Sequence, residues 1–157
     1  MSAAGPAEAA RALARDAAVA HGRALFNRGA YWDSHESWEF AWRLTEGDER
    51  RGLQGLIQAA AAFHKLVVQD NPAGAARLVD RATTALQPLD PTGLGLDVRA
   101  LLGELGLWRA RLTQTSAEAS VIGLPHLDAV PHTGAGHPGP LRVDWVDLRL
   151  VEDGGRR

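Results

Sequence analysis

The pattern of apolar and polar positions predicts five helices between residues 7 and 112. Apolar residues recur at steps of three and four, the spacing that places them on one face of an α-helix. The predicted helices span residues 7–28, 32–44, 49–69, 72–86 and 97–112. Short connections between the second, third and fourth helices place consecutive helices side by side and antiparallel. We therefore predict an all-α fold, a compact bundle of about five antiparallel helices.

The apolar faces of the first and third helices indicate which side of each packs into the core. In the first helix the recurring apolar residues are Leu13, Ala17, Ala20, Ala24 and Leu25. In the third helix the predicted inward residues are Leu53, Leu56, Ile57, Ala60, Phe63, His64, Val67 and Val68.

Residues with known preferences for helix ends support these boundaries. Gly29 can close the first helix, and Asp33 is a candidate N-cap for the second. Asn71 is a good N-cap and Pro72 suits the first helical position, so the fourth helix starts there. That helix must stop before Pro88.

The character of the chain changes after residue 112. Residues 113–140 are rich in Gly, Pro, Thr and Ser, and residues 141–151 alternate apolar and charged positions with a slip of phase. Such a segment is typical of a bulged or twisted extended strand, which needs a partner. We predict a helical domain at residues 7–112 and a C-terminal extension at 113–157. The extension is irregular and either lies along the helices or mediates a homo-oligomer.

Composition excludes several classes of function. The 157-residue chain has no cysteine, so disulfides, thiolate zinc sites, iron–sulfur clusters and a cysteine nucleophile are excluded. Its net charge of −2 gives no basic stripe for a nucleic acid. No segment reaches the roughly 20 apolar residues that span a bilayer. We expect a cytoplasmic protein that binds neither nucleic acid nor membrane.

The richest chemistry lies in residues 27–42, which hold three of the five tryptophans. On a helix His35 and Glu39 share a face, and Glu36 lies three residues before Glu39. The three side chains could converge on one ligand or metal ion. The motif resembles half of the zinc-protease signature H-E-x-x-H, with Glu39 in place of the second histidine. A metal would therefore need a further ligand from another helix.

The third helix offers polar partners for this segment. Gln54 and Gln58 are four residues apart and share a face, and a glutamine in a core needs hydrogen-bond partners. The polar groups of the second helix are the natural candidates. Gly55 weakens a helix by about 1 kcal/mol relative to alanine, and a close approach by another helix is one reason for its presence. His64 is expected to face inward.

One motif in the extension is rejected as a functional site. Gly134-x-Gly136-x-x-Gly139 matches the dinucleotide-binding fingerprint literally. That fingerprint must follow a strand and open a helix. Here it follows a loop and meets Pro138 and Pro140, so we expect no dinucleotide site.

Taken in order, the motifs resemble a known family. The resemblance rests on residues 26–42, which read FNRGAYWDSHESWEFAW, then on Gln54-Gly55-Leu56-Ile57-Gln58, His64 and Asn71-x-x-Gly74-Ala75. The segment is similar to the small all-helical family catalogued as domain of unknown function 309. The resemblance covers about residues 20–90 and implies a compact helical fold in which these motifs pack together. It implies no activity or cofactor.

Three functional hypotheses remain open at this point. The first is a binding module that takes a small molecule or a protein segment in an aromatic and polar pocket between the second and third helices. The candidate residues are Tyr31, Trp32, His35, Glu36, Glu39, Trp42, Gln54, Gln58 and His64.

The second hypothesis is a metal-dependent hydrolase. His35 and Glu39 would hold the metal, Gln58 or His64 would complete its ligands, and Glu36 would act as general base. The third is purely structural, with the polar residues holding the helices in register. Any cofactor is unknown.

Overall fold

Five α-helices account for most of residues 3–113 in the computed structural model, which describes these residues and residues 125–129. They are α1 (Pro6–Asn27), α2 (Tyr31–Arg43), α3 (Gly47–Val67), α4 (Pro72–Leu86) and α5 (Val98–Leu112). A short 3₁₀ helix, Gly93–Gly95, lies between α4 and α5. The predicted all-α fold is confirmed. None of the helices described is long and apolar enough to cross a membrane.

The helices pack in chain order, so that α3 lies between α2 and α4. α1 contacts α2, α2 contacts α3, α3 contacts α4, and α4 contacts α5. The direct packing of the second and third helices is therefore confirmed. The core contains an aromatic group and a set of aliphatic side chains that are almost fully buried, among them Phe26, Trp38, Leu53, Leu56, Phe63, Val79, Leu86, Leu101 and Leu105.

Two predicted helix ends are confirmed in their detail. The Asn71 side chain accepts a hydrogen bond from the Gly74 N–H at 2.8 Å and caps α4. Gly29 follows α1 with a φ of 77°, a left-handed conformation that glycine adopts without strain. Local preferences were sufficient at both ends.

The predicted cap at Asp33 is wrong. α2 begins two residues earlier, at Tyr31, and its N-cap is Ala30, which has no capping side chain. Asp33 instead lies in the first turn, where a carboxylate interacts favourably with the helix dipole.

The predicted apolar face of α1 is confirmed at Leu25 and wrong for most of its other residues. Leu13 is 63% exposed, and Ala20 and Ala24 are exposed as well. The buried residues of α1 are instead Ala18, Val19, Gly22, Leu25 and Phe26. Alanine occupies several sides of this helix, so the apolar pattern does not distinguish the side that faces α2.

The last turn of α3 carries the other misplaced core residues. Val67 and Val68 are 53% and 66% exposed. The first residue of α2, Tyr31, packs on Phe63 with ring centroids 5.6 Å apart. The final turn of α3 therefore extends past the start of α2 and loses that cover.

The contact between α1 and α2 is made through hydrogen bonds as well as apolar packing. The Ser34 hydroxyl donates to the Gly22 carbonyl at 2.9 Å, and the Ser37 hydroxyl donates to the Ala18 carbonyl at 2.8 Å. The Trp38 indole N–H donates to the carbonyl of Val19 at 3.1 Å. Trp38 is completely buried. Three donors on one side of α2 thus fix its rotation about its own axis.

Glycine also sets the spacing between α3 and α4. A Cβ at Gly55 would lie 2.7 Å from Leu86 Cγ and 3.1 Å from the Ala82 carbonyl oxygen. Both neighbours belong to α4. The close approach predicted at Gly55 is confirmed, and α4 is the helix that makes it.

Residues 125–129 pack against the helices. The Asn27 amide donates to the Leu127 carbonyl at 2.9 Å and accepts from the Leu127 N–H at 2.8 Å. Leu127 itself is completely buried. The Asp97 N–H, just before α5, donates to the Asp128 carbonyl at 2.9 Å. This short segment therefore connects the end of α1 to the start of α5.

Several predictions concern parts of the chain outside the described residues. They are the extended segment at 141–151 and the rejected glycine motif between Gly134 and Gly139. The division into domains at residues 7–112 and 113–157 stays a prediction.

The packing of Trp38 on Gly22 yields a paired stability test. A Cβ at Gly22 would overlap the indole of Trp38. A Cβ at Gly103 in α5 would instead meet no described neighbour within 4 Å. We expect Gly22→Ala to lower the free energy of unfolding by about 1–3 kcal/mol through overpacking. Gly103→Ala should raise it by about 0.5–1 kcal/mol, because alanine is the better helix former. Urea unfolding measures both, and equal effects would contradict the packing.

Candidate functional site

Tyr31, the first candidate residue, belongs to the aromatic core. Its ring lies 5.3 Å from that of Phe26 and 5.6 Å from that of Phe63, and the residue is only 2% exposed. Its hydroxyl is buried and has no hydrogen-bond partner among the described groups. Burial raises the pKa of Tyr31 to about 12, because the interior disfavours the phenolate.

Trp32 is the most accessible large ring among the candidates. It is 50% exposed, yet it stacks nearly parallel on His35, with centroids 4.9 Å apart and an interplanar angle of 5°. The ring of His64, which lies near the end of α3, has its centroid 5.3 Å from that of Trp32. Two imidazoles from two helices thus hold an exposed indole in one orientation. We call Trp32, His35 and His64 the Trp32 surface.

His35 also begins a line of polar side chains along α2. Its Nδ1 lies 3.9 Å from Glu39 Oε2, too far for a hydrogen bond, and is buried with no hydrogen-bond partner among the described residues. Glu39 Oε1 accepts a hydrogen bond from Arg43 Nη2 at 3.0 Å, one turn further along α2. The Glu39 and Arg43 side chains are 39% and 64% exposed, so this pair contributes little to stability.

The imidazole of His35 and the carboxylates of Glu36 and Glu39 do not converge on one point. Glu36 is exposed, while His35 and Glu39 are partly buried. Within residues 3–113 and 125–129, no group of three or more His, Cys, Asp or Glu side chains could hold a metal ion. The hydrolase hypothesis requires a metal ion held by His35, Glu39 and at least one further ligand. In this part of the chain no third His, Cys, Asp or Glu side chain joins that pair.

Trp42 lies at the opposite end of the α2–α3 contact. It is half-buried, and the Arg50 guanidinium carbon lies 3.7 Å from its ring centroid. This is the geometry of a cation–π contact, which here joins α2 to the first turns of α3. One face of the Trp42 ring is thus already covered.

The two glutamines of α3 are both half-buried, and Gln58 lies toward α4. It lines an open depression of about 430 Å³ between α3 and α4, together with Arg51, Asp80, Arg81, Thr84 and Ala85. The expectation that the second helix supplies its partners is not met there, because Gln58 Oε1 is buried and forms no hydrogen bond with any described residue. The reason is local, since Gln58 follows Gly55 by three residues and Gly55 faces α4.

The sequence did not point to the other residues of this depression. Arg51, Arg81 and Thr84 belong to no recognisable sequence motif. They lie close together only because α3 packs against α4. The usable signal was Gly55: identifying its neighbour as α4 would have placed Arg51 and Gln58 on the same side.

Comparison with known proteins locates the family segment. Residues 19–78 match the family described as domain of unknown function (DUF309). The resemblance stated from the motifs is confirmed. The DUF309 segment contains all nine candidate residues and ends within α4, before α5 and residues 125–129. Neither the curated proteins nor the solved structures include a significant match.

Tyr31 is the only tyrosine of the chain, so its titration can be measured directly. Below pH 10 both the folded and unfolded phenols are neutral. Between pH 10 and about 12 the unfolded state ionises first, so stability falls as pH rises. Phenolate absorbance should titrate near 12 in the folded protein, and Tyr31→Phe should abolish both the absorbance change and this share of the stability loss.

The same variant tests the unpaired hydroxyl. Near neutral pH we expect Tyr31→Phe to leave the free energy of unfolding unchanged or to raise it by about 1 kcal/mol, since it removes a buried polar group without a partner. A loss of stability in urea unfolding at neutral pH would show that the hydroxyl has a bonding partner.

Proposed function

We propose that this protein is a binding module and that its Trp32 surface takes a segment of a partner protein. The observation that carries the proposal is the half-exposed Trp32 ring held against His35 and His64. Tryptophan is enriched among the residues that dominate binding energy at protein interfaces. A ring already fixed in one orientation loses little further side-chain freedom on binding.

The neighbours of the Trp32 surface support a protein segment with apolar character. Val68 follows His64 by four residues, so both lie on the same side of the end of α3. Val67 and Val68 are both more than half exposed. Together with Trp32 they offer apolar area that a partner's side chains can bury.

The charge beside Trp32 favours a basic residue in that segment. Glu36 is exposed and lies four residues after Trp32, one turn along the same side of α2. A lysine or arginine placed over the indole gains a cation–π contact and lies within reach of the carboxylate. The preferred ligand is therefore a segment with an apolar residue close to a basic one.

The openness of this surface favours a protein segment over a small molecule. Small-molecule sites are usually concave and bury most of their ligand. Trp32 instead lies on an exposed edge of α2. We also propose a cytoplasmic location, which a cysteine-free chain suits.

Selection of random peptides displayed on phage against the full chain tests the proposal. We expect enriched peptides that combine apolar and basic residues, with a Kd weakened by about tenfold or more in Trp32→Ala. Phe40→Ala is the matched control, because Phe40 is 48% exposed on the same helix. Glu36→Gln should weaken only the peptides that carry the basic residue.

Two results would contradict the proposal. The first is a selection that enriches no peptide. The second is a set of peptides that bind Trp32→Ala as tightly as the unmodified chain. Circular dichroism of each variant must match that of the parent, so that loss of binding cannot be assigned to unfolding.

A further inference from the structure

We infer that the depression between α3 and α4 binds the phosphate monoester group of a ligand. The depression has a volume of about 430 Å³ and is lined by Arg51 and Gln58 from α3 and by residues of α4. It lies on the α4 side of α3. The inference is therefore independent of the Trp32 surface.

The charges around the depression favour an anion. Neither Arg51 nor Arg81 forms an ion pair with a carboxylate in the described part of the chain. The one carboxylate in the lining, Asp80, is engaged by Arg109 of α5, whose Nε lies 2.6 Å from Asp80 Oδ1. Two guanidinium groups from different helices are thus left to interact with a ligand.

Neutral donors complete the lining. The Thr84 hydroxyl already donates to the Asp80 carbonyl at 3.0 Å and can exchange that bond for one to a ligand. The side-chain carbonyl oxygen of Gln58 is buried and has no hydrogen-bond partner in the part of the chain that the structure describes. The amide nitrogen is then the end of Gln58 that a ligand in the depression can reach, and it is a donor.

A phosphate monoester suits this set of donors and the space available. Guanidinium groups bind phosphate oxygens in a bidentate, charge-assisted manner. The depression is larger than one phosphate group and includes Ala85, so it has room for part of the organic group. A phosphorylated metabolite and a lipid headgroup share this chemistry.

Titration of the ¹⁵N-labelled full chain with inorganic phosphate and with phenyl phosphate tests the inference. We expect saturable shifts of the Arg51 and Arg81 Nε–H resonances, with tighter binding of phenyl phosphate. Sodium chloride at matched ionic strength should cause no saturable change. Arg51→Gln and Arg81→Gln should each weaken binding by about tenfold.

The control is Arg99→Gln, which removes an exposed arginine of α5 that does not line the depression. Unchanged binding in this variant supports the site. Equal weakening by Arg99→Gln, equal shifts with chloride, or no saturation with either phosphate would overturn it.

Vesicles of phosphatidylcholine with and without phosphatidic acid distinguish the two sources. Sedimentation of the protein with phosphatidic acid alone, lost in Arg51→Gln, assigns the site to a headgroup. Saturable binding of phenyl phosphate without such sedimentation supports a soluble phosphorylated molecule.

Discussion

The packing of Trp38 against Gly22 is the constraint on which the rest of the structure depends. The indole is completely buried, and only a glycine at position 22 leaves it room against α1. Its N–H and the hydroxyls of Ser34 and Ser37 all donate to backbone carbonyls of α1. These carbonyls fix where the donors must point, so α2 has one rotation about its axis. A hydrophobic contact alone would permit neighbouring rotations at small cost, because apolar burial is not directional.

The rotation of α2 determines which of its residues can meet a ligand. With Ser34 and Trp38 turned toward α1 and the core, Trp32 and Glu36 face outward and His35 faces α3. The residues of α2 therefore divide into two groups. Tyr31 and Trp38 belong to the core, whereas Trp32 and His35, together with His64 of α3, form the Trp32 surface. α3 has a second constraint at Gly55, where α4 approaches closely. The depression beside Gln58 lies between the same two helices. The two proposed binding surfaces thus lie on the two sides of α3.

Local patterns predicted the helices and several of their ends, because periodicity, caps and turn glycines act over a few residues. Asn71 and Gly29 are examples. The face of α1 could not be predicted, since alanine on several sides gives no contrast between buried and exposed. The pairing of Asn27 with Leu127 joins residues 100 positions apart and leaves no local signal. Gln58 was assigned to the wrong neighbour for a similar reason: its side of α3 is known only once the neighbour of Gly55 is known.

Solvent exposure of individual tryptophans measures the orientation of α2 most directly. The five tryptophans can be replaced by 5-fluorotryptophan, and Trp32→Phe and Trp38→Phe assign two of the ¹⁹F resonances. A soluble gadolinium chelate broadens signals from rings that solvent can approach. A locked α2 predicts strong broadening of the Trp32 resonance and almost none for Trp38. Comparable broadening of both resonances would contradict the account, because α2 would then not be held with Trp38 inward and Trp32 outward.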